Sequence, residues 1–254
     1  MAQNWPARLW LVRHGQSQGN VARDAADEAG LHEIDITMRD VDVPLSQLGV
    51  QQAEAAGRWF AALPAHDRPE IILSSPYVRA RQTAEIICKQ GALSGREAKS
   101  IIDERLRERE FGIFDRLTTL GIRERFPEEA AHRARLGKFY HRPPGGESWA
   151  DVILRLRSML NTINLHYCDR RVLVVCHQVV VLCFRYILEA LDEKEILAID
   201  RQADILNCGI AAYDFTEGPK GLCVPELSLW NHGAPLEDEG AAKTSEPDAM
   251  AGTR

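Results

Sequence analysis

Two apolar runs in this chain each stop at a histidine. Leu9-Trp10-Leu11-Val12 is closed by Arg13-His14-Gly15, and Val172-Leu173-Val174-Val175-Cys176 is closed by His177-Gln178. Short apolar runs between polar edges read as strands buried on both faces, as in a parallel sheet covered by helices. In an open α/β sheet, ligands bind in the crevice outside the carboxyl ends of the strands. Two histidines placed there can sit side by side. Arg13 adds a fixed cation next to the first, and an imidazole beside a guanidinium is suited to attack an anionic group, phosphate above all. Alone, a strand-end histidine is more often structural, so the rest of the chain must supply the partners.

Between the two runs the pattern alternates. Residues 8–13 form the first strand, and residues 21–44 suit an irregular excursion over the face that carries His14. Ser46 caps a helix whose apolar positions run to Phe60, Ile71-Ile72-Leu73 is a second strand ending at Ser74-Ser75-Pro76, and a helix spans Tyr77 to Lys89. Ile101-Ile102 marks a third strand. Two helical segments cover 117–139, broken near Pro127, and a long amphipathic helix opens at Glu147 or Ser148 and runs to His166. After the Val172–Cys176 strand come a helix over Val179–Ala190 and two further strands, Ile210–Phe215 and Leu222–Trp230. Strands alternating with helices predict a mostly parallel sheet with helices on both faces. No repeat or linker interrupts the pattern, so residues 1–231 are expected to form a single domain. From His232 the composition turns to Gly, Pro, Ala and acidic residues, which predicts a disordered tail over 232–254.

Composition narrows the partners. A formal net charge of −6 argues against a general nucleic-acid or anionic-membrane binder. No window approaches the roughly 18 apolar residues of a membrane span, and no signal segment opens the chain, so the expected location is cytoplasmic. Six scattered cysteines without a C-x-x-C pair are expected to be reduced thiols.

A phosphohistidine mechanism needs a nucleophile, cations for the phosphoryl oxygens and a proton donor for the leaving oxygen. His14 is the candidate nucleophile and Arg13 the first clamp. Arg79, one turn into the helix after the second strand, can bind phosphate bidentately. His177 can donate to the same oxygens, and Glu108 or Glu110, in the loop after the third strand, can supply the proton. That loop alternates Arg and Glu, and read alone it is an ordinary solvated charge run.

Taken together, these pieces resemble the histidine phosphatase superfamily, which includes cofactor-dependent phosphoglycerate mutase and the fructose-2,6-bisphosphatase domain. The matching stretches are Leu11–Asn20, Pro44–Ala53, Ser74–Thr83, Leu106–Gly112, Pro144–Ser148 and Val174–Gln178, in the family's order. Any one is weak, and six in order are specific. The resemblance implies a three-layer α/β/α sandwich around a mostly parallel central sheet, as in phosphoglycerate mutase. It makes His14 the phosphohistidine, with Arg13, Arg79 and His177 completing the phosphate pocket, and it selects Glu108 over Glu110 as proton donor. It further implies that Asn20 and Gln178 contact the phosphoryl group or substrate.

Departures from the family pattern favour its phosphatases over its mutases. Phe111 stands where mutases usually carry Tyr, and the stretch Gly112–Thr119 has no lysine. Among the basic residues from Gly112 to His141 (Arg116, Arg123, Arg125, Arg133, Arg135, Lys138 and His141), some are expected at the substrate entrance and most on solvated helix faces. Other reaction classes lack their signatures: there is no C-x5-R, no G-x-x-x-x-G-K-[ST], no H-E-x-x-H and no G-x-S-x-G, and Asp40-Val41-Asp42 does not fit an aspartyl-phosphate nucleophile. The expectation is a phosphomonoester hydrolase that needs no metal or other cofactor. Its substrate is a small phosphorylated metabolite or a phosphoprotein. The alternatives are a mutase-type phosphoryl transfer and a member that only binds a phosphorylated ligand.

Overall fold

Along β1 (Arg8–Arg13) successive side chains face opposite ways, and both sides are buried. Leu9 and Leu11 enter one core cluster, whereas Trp10 and Val12 enter another. A strand with two apolar faces must lie inside a sheet covered on both sides, and that is where it lies. The computed structural model describes residues 5–93, 99–217, 223–233, 236–237 and 240–245.

The sheet has six strands. With β2 (Ile71–Ser74), β3 (Lys99–Ile102), β4 (Arg171–Cys176), β5 (Ile210–Glu217) and β6 (Cys223–His232), the order is β3-β2-β4-β1-β5-β6. The first four positions pair in parallel, and β5 and β6 add an antiparallel edge beside β1. Helices α2 (Gln47–Ala62) and α3 (Val78–Gln90) cover the Trp10 face, whereas α6 (Trp149–His166) and α7 (Gln178–Leu188) cover the Leu9 face. The expected three-layer α/β/α arrangement is thus observed.

Register matters most for function. Arg13 of β1 stands opposite Cys176 of β4, and Ser74 of β2 opposite Val175, so the three strands end together. The residues that follow them, His14, His177 and Ser75, therefore emerge on one edge. Backbone bonds continue the ladder past the strands, from His14 N–H to the Cys176 carbonyl at 2.9 Å and from Ser75 N–H to the Val175 carbonyl at 3.0 Å.

Two helices bury little and lie outside the expected elements. α1 (Gln18–Glu28) occupies the start of the expected excursion; its apolar face is short and made of small residues, Val21, Ala22, Ala25 and Ala26, of which only Ala26 is buried. A capping box sets its start: Ser17 accepts from the Asn20 backbone while the Asn20 side chain accepts from Ser17 N–H. α8 (Glu193–Gln202) likewise buries only Ile196, and its start is fixed by an Asp192/Glu195 capping box. The two expected segments around Pro127 are α4 (Thr119–Arg125) and α5 (Pro127–Leu136).

Part of the stretch expected to be disordered, 232–254, makes defined contacts. His232 closes β6, Leu236 is fully buried, and Thr244 is bonded to both Asn207 and Gln52. Composition misses this because the anchors are a single leucine and main-chain bonds. The remaining tail positions, 234–235, 238–239 and 246–254, lie outside the described residues.

Candidate active site

The loop after β1 is held so closely that its sequence leaves little choice. A Cβ on Gly15 would stand 2.5 Å from the Gly49 carbonyl oxygen, and one on Gly49 would stand 2.0 Å from that of Gln16. These glycines let the start of α2 press against the His14 loop. Around it, Thr83 Oγ1 accepts from Gly15 N–H, Gln52 Oε1 from Gln16 N–H, and Asn207 donates to the His14 carbonyl. Gln52 and Asn207 both also bond Thr244, so the end of the chain braces the same loop.

The His14 ring is buried, and its tautomer follows from its neighbours. Nδ1 lies 2.7 Å from the Gly15 carbonyl, which only accepts, so Nδ1 carries the proton and Nε2 holds the lone pair. Arg79 Nε stands 3.3 Å from that Nε2. Burial, then the charges of Arg79 and Arg13, hold the His14 imidazolium well below the ordinary histidine range. The imidazole is thus neutral, with its unprotonated nitrogen accepting from a guanidinium.

His177 is fully buried beside it, the ring centroids 5.1 Å apart. Its Nε2 lies 2.8 Å from Ser75 Oγ and its Nδ1 3.7 Å from Glu108 Oε2. Burial first, then Arg79 and His14, keep it neutral as well. It therefore contributes through a single N–H rather than as an imidazolium. If the Ser75 hydroxyl donates to Nε2, the ring presents Nδ1–H toward Glu108 and the cavity.

Arg79 is buried in the first turn of α3, its guanidinium 4.8 Å from the centroid of the Tyr77 ring. Two of its nitrogens hold the Asp40 carboxylate at 2.9 and 3.1 Å. Asp40 thus offers Arg79 the planar two-oxygen partner that a phosphoryl group would offer. Arg13 is anchored by donation to the Ile205 carbonyl.

Glu108 is held by its backbone neighbours. Its Oε1 accepts from Arg109 N–H at 2.9 Å, and Arg155 donates to its carbonyl. Glu147 bonds Arg107, Arg155 and the Glu110 backbone, which ties the acidic loop to the start of α6. The charge run is thus largely consumed by specific pairing rather than solvated. Glu110 accepts from Tyr77 Oη and is not among the residues that line the cavity.

One cavity of about 120 Å³ gathers Arg13, His14, Asn20, Arg79, Glu108 and Gln178. His177 sits behind them, against His14 and Glu108. Asn20 lines the cavity, but its Oδ1 is committed to the α1 cap. Gln178 is buried, and its Oε1 has no hydrogen-bond partner among the described residues. Sequence reasoning missed Asp40, Arg23, Asp115 and the apolar wall Ile34, Ile36, Met38 and Val43, all supplied by the stretch from α1 to the start of α2 or by the loop after Phe111. Of the basic residues expected at the entrance, Arg116 lines the cavity, with φ at +60°. Arg125 instead pairs with Glu33, and Lys138 with Asp200.

The strand ends of this α/β sheet thus hold a neutral, oriented histidine close to two arginines. The model of the histidine phosphatase superfamily (branch 1) matches residues 9–222, and the chain belongs to that superfamily. The phosphoglycerate mutase-like protein AT74 of Arabidopsis thaliana is 34% identical over 164 residues, 62% of this chain and 46% of that protein. The chain spans about half the length of AT74 and of its relative AT74H. The probable phosphoglycerate mutase GpmB of Proteus mirabilis is 29% identical over 216 residues, 84% of this chain and 86% of that protein. Among solved structures, the mycobacterial glucosyl-3-phosphoglycerate phosphatase in complex with VO3 superposes with a TM-score of 0.67 at 25% identity, covering 89% of this chain and 99% of that one. Relatives therefore include both phosphatases and phosphoglycerate mutases. Among the described residues, no helix is long and apolar enough to cross a membrane.

Proposed function

We infer that the protein is a phosphatase that hydrolyses a phosphomonoester through a phosphohistidine on His14. The observation that carries this reading is the fixed tautomer: Nδ1–H is spent on the Gly15 carbonyl, and the unprotonated Nε2 accepts from Arg79 Nε–H in a cavity shared with Glu108. Nε2 attacks phosphorus in line, and the ester oxygen leaves with the proton of Glu108. Water then attacks the phosphohistidine, Glu108 taking its proton. Arg13, Arg79 and the His177 N–H match the equatorial oxygens in both steps. The two guanidiniums supply the positive charge, so the reading routes no step through a metal. Gln178 and Asn20 are proposed as substrate contacts. The orphaned Gln178 Oε1 supports the first more strongly than the capped Asn20 supports the second.

Acid-quenched enzyme after brief exposure to a labelled aryl phosphate is expected to retain an acid-labile, base-stable phosphoryl label on His14, with phosphate released at each turnover. A protein that binds the ester without ever labelling is a binder, and transfer of the label to phosphoglycerate instead of water marks a mutase.

The outer cavity bears on the substrate. Arg23 lines it with Nη1 buried and without a hydrogen-bond partner among the described residues, and Arg116 lines the same cavity. One charged hydrogen bond is worth about 1.5–3 kcal/mol, roughly 10- to 100-fold in binding. Arg23→Ala is accordingly expected to raise KM about 10-fold or more for a phosphomonoester carrying a second anionic group. Its kcat/KM for phenyl phosphate should change less than about 3-fold. Equal effects on the two substrates remove Arg23 from substrate contact.

A further inference from the structure

A cluster of metal-competent side chains lies on and just after α5, among residues that none of the phosphoryl chemistry uses. Glu129 and His132 are three positions apart on α5 and so share one face of that helix. His141 comes back to them from the segment after α5, which turns at Gly137 with φ at +83°. One donor atom from each of the three lies within 4.8 Å of the others. Glu129 Oε2 stands 3.5 Å from His141 Nε2, and the His132 and His141 rings meet edge to face with centroids 5.8 Å apart.

The state of His141 is the independent observation. It is completely buried, yet neither ring nitrogen has a hydrogen-bond partner among the described residues, Nε2 facing Glu129 only at ion-pair range. A buried histidine is normally held by a hydrogen bond on at least one nitrogen.

We propose that Glu129, His132 and His141 bind a divalent transition-metal ion of the zinc type, with a fourth position left to water. Two imidazoles and a carboxylate are a donor set for zinc rather than for magnesium or calcium, which take oxygen ligands. Tetrahedral ligands at about 2.0–2.2 Å bring donor atoms to roughly 3.4 Å from one another. The Glu129–His141 pair is already at that spacing. His132, half-buried on its helix, closes the remaining distance by turning its side chain. The Arg109 and Arg133 guanidiniums oppose a cation and weaken the site without removing its ligands.

The ion ties α5 to the segment that leads into α6. Phe114 stacks on the His141 ring at an interplanar angle of 7°, and its neighbours Phe111, Asp115 and Arg116 line the phosphoryl cavity. Ile113 N–H bonds the Pro144 carbonyl, further along the same segment. The ion thus braces one wall of the cavity from behind, and it takes no part in phosphoryl transfer.

The test uses the full chain, stripped of metal and then titrated with Co2+ and Zn2+. Expected are one equivalent of Co2+ with the d–d absorption of a tetrahedral site, displacement of Co2+ by Zn2+, and a rise in Tm on metal addition. His132→Ala and Glu129→Gln alter half-buried helix positions and are expected to fold while losing at least about 10-fold in affinity and most of the Tm rise. His14→Ala is expected to bind metal as the unaltered protein does. Absence of stoichiometric binding overturns the proposal. So does binding that His14→Ala abolishes and His132→Ala leaves intact, since the ion then sits on the paired histidines of the phosphoryl pocket.

Discussion

His14→Ala is expected to lower kcat/KM for aryl phosphate by about 10^4-fold or more and to leave no acid-labile phosphoryl label. At 1.36 kcal/mol per decade, that is at least about 5.5 kcal/mol of transition-state stabilisation. What remains comes from Arg13 and Arg79, which still hold the ester but have nothing to receive it. The ring also makes a pH prediction. Burial and then the charges of Arg79 and Arg13 disfavour the imidazolium, so more acid than usual is needed to protonate Nε2. The nucleophile therefore stays available as pH falls through the ordinary histidine range near 6.5. Because kcat/KM reports the free enzyme, its acid limb, corrected for ionisation of the substrate phosphate, should fall well below that range. An acid limb centred on 6.5, or a His14→Ala enzyme as fast as the unaltered one, rules out the nucleophile.

Much of this site was legible because strand ends are legible. The runs closed by His14 and His177 specify two buried strands, and parallel register does the rest by ending them together. Arg79 could be placed because it sits in the first turn of the helix that follows β2. Asp40 could not. It belongs to a loop with no apolar period, and its partner lies 39 residues away, so only the folded chain shows that its carboxylate faces Arg79. Arg23 was hidden for a related reason. Its helix has only a short apolar face of small residues, although Ser17 with Asn20 three positions on was readable as a start signal. The bracing by Thr244 was the least legible feature, since a main-chain carbonyl and one hydroxyl leave no mark on composition.

The acid–base role of Glu108 is separable from its place in the wall, and Glu108→Gln separates them. Glutamine keeps the shape and, through Oε1, the bond from Arg109 N–H, but it has no proton to give. An alkyl phosphate, whose alkoxide must be protonated as it departs, is expected to lose about 10^2- to 10^4-fold in kcat/KM. Nitrophenyl phosphate releases a stable phenolate without that proton, so its kcat/KM should fall by no more than about 10-fold. Its kcat should nevertheless drop, because the same carboxylate activates water against the phosphohistidine in the second step. Fast labelling followed by slow hydrolysis then appears as a burst of one nitrophenolate per chain, and the label on His14 accumulates. The Oε2 atom, 3.7 Å from His177 Nδ1, stands beside the ring that also flanks His14, where one carboxyl can serve both the departing oxygen and the arriving water. Equal losses on the two esters with no burst would instead place Glu108 among the groups that only shape the cavity.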